Sequence, residues 1–505
     1  MNQIKYGVVL SYTSLAINNL VAILYTPILL RYLGQSEYGL YSLITSVIAY
    51  LTVLDLGLGN TIVRYSALYK SQNRIEKLYS LFGLFIKAYS CISFCVCIIG
   101  IIIYFNLDNI LSNSLTFEEI HRAKIMFILL VANLVITFPL SVYSSIVTAY
   151  QKFIFAKAIN IARIILQPLI MIPLLWLGYK AIALVIVISL LNIGTLVANT
   201  IYAYKNLGIK VNFSKVETHL VKEIFIFSFF IFLGVAVDKM NWTTGQIILG
   251  IFSGPETVAI YAVAIQILLC YFGFASSMSG VFLPRITEII THQNRTKELS
   301  DLFIKIGRLQ YIILLLVLIG FFFYGKPFIK YWAGENYEEA YILSFIIMVP
   351  LMFTAIQHTG VLILQALNMQ RFRSEVYFAI AIFNIILSCL LVKYLDALGC
   401  AISFAFCLLL GNIIIMNVYF QKKIHIDIIA FWKEIIKSIP TIICIIIIAY
   451  ILLQLLPINS LFIFFVHIIT ITIAYFLITY FLYMNDYEKH LCTSIFSKWI
   501  KRKSA

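Results

Sequence analysis

The chain has 505 residues, 62% hydrophobic and 12% charged, with a mean hydropathy of +0.98 and a formal charge of +15. A soluble domain carries roughly 25% charged residues, so this composition leaves no solvated surface and excludes a soluble globular protein. The basic excess does not call for nucleic acid, because positive charge gathers on the cytoplasmic side of polytopic membrane proteins.

From the N-terminus, Met1 to Lys5 runs into an apolar segment too long for a signal-peptide core, with no small-residue cleavage site after it, so no cleavable leader is expected. A membrane crossing needs about 20 mostly apolar residues. Such runs fall near 10–30, 39–63, 80–105, 123–148, 154–177, 181–203, 222–250, 258–283, 309–325, 341–366, 376–393, 399–420, 438–456 and 461–484. The predicted fold class is an all-α polytopic membrane protein of about 14 transmembrane helices.

The loops between these runs test that count. An even number of spans puts both termini on one side, and 28 of the 37 Lys and Arg then fall there, counting Lys157 and Arg163 with the loop that precedes their span, against seven on the other side and two, Lys87 and Lys239, inside spans. The excess alternates along the whole chain and places both termini in the cytoplasm. The longest outer loops, near 106–122 and 326–340, are too short for a catalytic domain. No P-loop, dinucleotide fingerprint or nucleophile elbow occurs. The nine Cys lie in or beside apolar segments, apart from Cys492 in the tail, and none pairs with His at metal-ligand spacing. Neither a metal site nor a structural disulfide is expected.

An internal repeat organises the chain. Gly34 and Tyr41 meet Gly254 and Tyr261 at an offset of 220. Arg64 and Gln72-Asn73-Arg74 meet Arg285 and Gln293-Asn294-Arg295 at 221. Gln151-Lys152-Phe153 meets Gln370-Arg371-Phe372 at 219. The expected plan is two pseudo-symmetric six-helix bundles, residues 1–204 and 205–425, followed by two extra helices and a basic cytoplasmic tail, 426–505. Six spans per half give both halves the same orientation, an arrangement used for alternating access in transporters.

Several polar groups lie where an apolar solvent is expected. A charge at mid-bilayer costs roughly 2.5–3.5 kcal/mol on insertion scales, so it normally faces protein or water. Asp55, Lys87, Arg163, Asp238 and Lys239 stand out, with Arg64 at the end of the second span. Asn160, Arg163 and Gln167 share a helix face, and Pro168 and Pro173 are expected to kink it. Asp238, Asn241, Trp242 and Gly245 share another face. Gln357 and His358 add polar groups to the tenth span. Each has a bland reading beside the functional one. Lys87 can snorkel to the interface, and Arg64 and Arg285 can be plain anchors. Asp238 can neutralise Lys239, Asp55 can cap a helix broken at Gly57, and His358 can be an interhelical hydrogen-bonding group. As a set, the cations outnumber the acids, which suits an anionic cargo better than a drug cation.

The segments Pro27-Ile28-Leu29-Leu30-Arg31-Tyr32-Leu33-Gly34, Tyr38-Gly39-Leu40-Tyr41, Asp55-Leu56-Gly57-Leu58-Gly59-Asn60 and Arg64-Tyr65 resemble the opening of Wzx-type polysaccharide flippases of the MOP superfamily. Trp332-Ala333-Gly334-Glu335-Asn336-Tyr337 is similar to an outer segment of that family. The resemblance implies translocation of an undecaprenyl-pyrophosphate-linked oligosaccharide across the bacterial cytoplasmic membrane, for O-antigen or capsule synthesis. It implies a cationic cavity for the headgroup, an H+ or Na+ gradient as driving force and no cofactor. Membrane lipids, a polysaccharide polymerase and a chain-length regulator are the implied partners of a monomer. Position then nominates Arg64, Lys87, Arg163 and Lys239 as headgroup contacts. Asp55 and Asp238 are nominated as charge partners or ion-coupling sites, and Asn160, Gln167, Asn241, Gln357 and His358 as polar lining. The competing expectations are a multidrug (MATE) antiporter, a lipid II flippase, and a membrane polysaccharide polymerase.

Overall fold

In the computed structural model every long apolar run is helical, as an apolar solvent demands of a chain whose backbone polar groups must be satisfied internally. The structure describes residues 3–214, 218–292, 295–491 and 493. Lys215, the Gln293-Asn294 pair of the repeat, Cys492 and the basic tail beyond residue 493 lie outside them.

Among the described residues, twelve helices are long and apolar enough to cross a membrane. The expected count of about 14 exceeds this by two, and two helices account for the excess. One is α8 (Thr218–Phe252), 35 residues long. The other is the continuous run Gln370–Ile424, whose 55 residues would extend roughly 80 Å at 1.5 Å per residue, against a hydrocarbon core about 30 Å thick. It is not straight. Within α14 (Gln370–Leu408), Asp396 has φ 49° and ψ −130°, outside helical geometry, so the run turns there between the expected eleventh and twelfth spans.

The chain forms two compact units. The first comprises residues 1–262 with 385–400. Its elements begin with α1 (Gln3–Leu33) and α2 (Gln35–Leu51), then a 3-10 turn (Thr52–Asp55) and α3 (Leu58–Ser71). Next come α4 (Ile75–Leu111), α5 (Phe117–Ala149), α6 (Phe153–Trp176), α7 (Ala181–Leu207), α8 and the start of α9 (Pro255–Val281). Helix α5 is central, packing against α2, α3, α4 and α7. Its start is set by a capping box, Thr116 with Glu119. Leu81, Phe82, Phe85, Met126, Val142 and Ile146 are fully buried around it. Helix α6 runs unbroken from Phe153 to Trp176 through both Pro168 and Pro173.

The second unit comprises residues 263–384 with 401–505. It holds most of α9, then α10 (Leu283–Ile289), α11 (Arg295–Trp332), α12 (Ala340–Ile356), α13 (His358–Ala366) and most of α14. The last continues through π-helical turns that flank a short α15 (Asn417–Tyr419). The chain closes with α16 (Ile428–Ile436), α17 (Ile439–Leu455) and α18 (Leu461–Leu482). Helix α11 is central here, against α12, α13, α16 and α18.

The repeat reappears as backbone geometry. Gly34 and Gly254, at the turns before α2 and α9, have φ 79° and 102°. Gln151 and Asn368, two residues before α6 and α14, have φ 57° and 56°, an offset of 217 where residue matching gave 219. Gly208 and His425 close their helices in the left-handed conformation at the same offset of 217.

Candidate functional site

In the first unit, α5, α6 and α7 bring together polar groups that the sequence scatters. Arg163 Nη1 donates to Asn192 Oδ1 at 3.2 Å. Asn192 Nδ2 donates to Asn133 Oδ1 at 3.1 Å and to Thr137 Oγ1 at 2.8 Å. These side chains, with Gln167 and Thr52, line a cavity of about 310 Å³ whose remaining wall is Leu and Ile. Arg163 is half-buried, and no carboxylate lies in the lining.

That absence is informative because several other cations in this protein are matched with carboxylates. Arg122 pairs with the buried Glu37, and Lys124 with Asp108. Lys326 meets Glu338 at 3.1 Å and Lys330 meets Glu335 at 2.8 Å. Arg163 alone among these has only a neutral amide as its recorded partner. A guanidinium cannot shed its proton, so it needs an anion or water to complete its shell.

The structure separates the other expected site residues. Asn160 shares a face with Arg163 in the sequence, but it donates to Ser14 Oγ of α1 at 3.3 Å and does not line the cavity. Asp55 ends the 3-10 turn one turn after Thr52 and accepts the Tyr89 hydroxyl at 2.6 Å. The helix break follows it at Leu56 and Gly57, with φ 52° and 68°. Gly57 itself is the N-cap of α3, which has no side-chain capping bond. A Cβ on Gly57 would lie 2.3 Å from Ile231 Cγ2, so α8 closes against the break.

Lys87 is exposed and donates to the Phe213 carbonyl at 3.2 Å, with its ammonium 5.3 Å from that ring. This is the snorkelling arrangement, with the charge carried to the segment between α7 and α8. Arg64 is exposed, with its guanidinium carbon 5.9 Å from the Tyr65 ring centroid. On α8, Asp238 is exposed while Lys239 and Asn241 are half-buried. The same helix is tied to α2 by Tyr50 with Thr244 and Ser46 with Gln246.

In the second unit, Gln357 sits at the break between α12 and α13. It is 4% exposed, and neither of its amide atoms has a partner among the described residues. His358 stacks edge-on against Phe272 at 5.7 Å, with Nδ1 unpartnered. A third polar centre here was invisible in the sequence. Arg308, which reads as one more cytoplasmic basic residue, is 2% exposed. It donates to both oxygens of Glu488 at 2.8 and 2.9 Å, to Glu434 at 2.7 Å and to the Tyr483 carbonyl at 3.0 Å. Asn133, Thr137 and Asn192 were also missed. The available signal was an Asn on each of two otherwise apolar spans, which only the packing of α5 on α7 makes meaningful.

Known proteins resemble this chain in sequence and in fold. A family model described as "Polysaccharide biosynthesis protein" matches residues 4–290. The Shigella flexneri protein named "Putative O-antigen transporter" is 21% identical over 410 residues, covering 80% of this chain and 94% of its own. Among solved structures, the lipid II flippase MurJ in an inward closed conformation superposes with a TM-score of 0.73 at 16% identity, covering 94% of this chain and 98% of that one. An inward-facing multidrug resistance MATE family transporter of the MOP superfamily superposes with a TM-score of 0.60 at 13% identity, covering 83% and 98%. These two likenesses establish the fold.

Proposed function

This chain belongs to the polysaccharide biosynthesis protein family, and on that premise we propose that it turns undecaprenyl-pyrophosphate-linked oligosaccharide units from the inner to the outer leaflet of the bacterial cytoplasmic membrane. It is a multi-pass membrane protein with the fold shared by MOP-superfamily transporters. The names of its relatives, a transporter and a flippase, support transport over polymerisation. The reading places both termini in the cytoplasm, takes an H+ or Na+ gradient as driving force, and makes a polymerase and a chain-length regulator the neighbouring proteins.

The observation that carries the choice of cargo is the acid-free cavity at Arg163. A cation exporter needs embedded carboxylates to bind its substrate or its coupling ion. A cavity with one fixed positive charge and neutral amides instead favours an anionic headgroup. Arg163 is the leading headgroup contact, and Arg64, Lys87 and Lys239 complete the proposed set.

The test is a deletion strain. Loss of surface polysaccharide with build-up of lipid-linked units on the cytoplasmic side is the expected result. Unchanged surface polysaccharide with no build-up would refute the function. In the complemented strain, Arg163→Ala should lower export at least tenfold at equal protein level, measured as surface polysaccharide per cell.

A further inference from the structure

The hydrogen bonds around Arg163 all run one way. The Thr137 hydroxyl donates to the backbone carbonyl of Asn133 at 2.7 Å, so its oxygen is left to accept from Asn192. The Asn192 amide spends both protons, on Asn133 Oδ1 and Thr137 Oγ1, and its carbonyl accepts from Arg163. The side-chain oxygens of Asn133, Thr137 and Asn192 thus each already accept one hydrogen bond. The groups left with no bond are mainly donors. Four of the five guanidinium N–H groups and the Asn133 amide have no recorded acceptor among the described residues, and Gln167 adds an amide one turn beyond Arg163.

Charge sets the valence of what can sit there. Arg163 is ten residues into α6, about 15 Å along the helix at 1.5 Å per residue, deep in the span. The lining supplies one positive charge and no negative one. A single monovalent anion leaves the cavity neutral and gives the unused donors an acceptor. A pyrophosphate brings several negative charges and needs the further cations of the proposed headgroup set, whereas a monovalent anion is balanced by Arg163 by itself.

We propose that the cavity between α5, α6 and α7 is a binding site for one small monovalent inorganic anion of the chloride class, held by Arg163 and the Asn133 amide, with Asn192 as the positioning residue. Asn192 fixes the direction of the relay: its carbonyl holds the guanidinium, and its amide donates to the Asn133 oxygen. A lipid-borne headgroup that reaches Arg163 competes with this anion. The inference rests on the single cation and the acid-free lining of the cavity and not on the identity of the transported glycan.

The experiment uses the purified full-length protein in detergent, with sodium chloride replacing sodium gluconate at constant ionic strength. Thermal unfolding and the chloride-35 NMR linewidth are followed together. The wild type should show a midpoint that rises with chloride and saturates, and a linewidth broadened by exchange with a bound ion. Both effects should vanish in Arg163→Gln. They should also vanish in Asn192→Asp, where a carboxylate beside Arg163 supplies the counter-charge internally. That variant keeps the size of the native side chain, so it decides the matter even if Arg163→Gln does not fold. Lys180→Gln, at an exposed loop, should behave as wild type. A chloride response of undiminished size in Asn192→Asp, or none in the wild type, overturns the proposal. Either failure leaves the export assay of the deletion strain unaffected, so loss of the anion site and loss of the flippase reading are separable.

Discussion

Asp55 shows how much a single residue's meaning depends on a partner far along the chain. The sequence marks it as an acid inside a span, and two adjacent glycines mark a bend. Both features are present, since the helix breaks at Leu56-Gly57 directly after the 3-10 turn that Asp55 ends. The acid's partner is Tyr89 on α4, which the sequence presents as one more aromatic in an apolar span. Tyr89 is fully buried, so its hydroxyl has no solvent to turn to. Tyr89→Phe should therefore destabilise the protein by about 1–3 kcal/mol, the cost of removing one partner from a buried hydrogen bond to a charged group. The unfolding midpoint in detergent measures this. Asp55→Asn keeps an acceptor at the same place and should cost less. The pair of variants also separates the two roles open to Asp55. If it couples an ion, Asp55→Asn stops export while the protein level holds. If it only anchors Tyr89, export survives in Asp55→Asn and falls in Tyr89→Phe in step with stability. Arg163 was legible for a related reason, as a charge in the middle of an apolar run. Its partner Asn192, and Asn133 to which Asn192 donates, were not, because an isolated Asn in a span is ordinary until packing sets it beside another.

At the scale of elements, length and hydropathy carried the helices, and local chemistry carried their ends. The turn inside Gln370–Ile424 was expected between 393 and 399, where the apolar run is interrupted by Lys393 and Asp396, and the non-helical residue is Asp396. Pro168 and Pro173, on which the expected kink of α6 rests, both lie inside the one helix Phe153–Trp176. A proline removes one hydrogen bond and need not end a helix that neighbouring helices hold in place. The repeat was legible where a turn demands a special backbone. Gly34 combines φ 79° with ψ 170°, a region open essentially to glycine alone. Nothing lies within 4 Å of a Cβ placed there, so Gly34→Ala should cost about 1–3 kcal/mol from the backbone alone. Gly254 has a comparable φ, but its Cβ would lie 2.9 Å from the Ser114 carbonyl oxygen. Gly254→Ala should therefore destabilise more than Gly34→Ala. Equal midpoints for the two variants would contradict this ordering. Repeat matching by residue identity placed the third loop two residues off, because Gln151 and Gln370 are alike in type but not in position within the turn.

For the whole molecule, the alternating basic loops predict that a fluorescent protein fused after residue 505 folds on the cytoplasmic side and fluoresces, whereas a periplasmic alkaline phosphatase fusion there stays inactive. The opposite pattern would invert the topology. The last helices raise a larger question, since the repeat reads them as additions to a complete pair of bundles. Arg308 argues otherwise. It lies on α11, and its side chain is 3% exposed, as is right for a residue in the middle of the second unit. Its charge is balanced by Glu434 on α16 and by Glu488 beyond α18, and Tyr483 covers it at 4.4 Å. Both counter-charges are thus supplied by the segment after residue 425, at separations of 126 and 180 residues that no local pattern in the sequence could join. Removing one partner of a buried ion pair costs up to about 3–5 kcal/mol; without Glu488, Arg308 keeps only the half-exposed Glu434, which it shares with Lys437. Glu488→Gln should lower the unfolding midpoint accordingly, and a chain ended at residue 425 should fail to accumulate in the membrane. The same physics predicts a rescue. Replacing the whole cluster by apolar groups of similar size, Arg308→Met with Glu434→Leu and Glu488→Leu, removes the under-compensated buried charge and should recover most of the stability lost in Glu488→Gln. If the triple variant is no more stable than Glu488→Gln, the cluster matters for its specific geometry and not for charge balance. If Glu488→Gln is itself as stable as the wild type, the final two helices are held by their apolar faces alone.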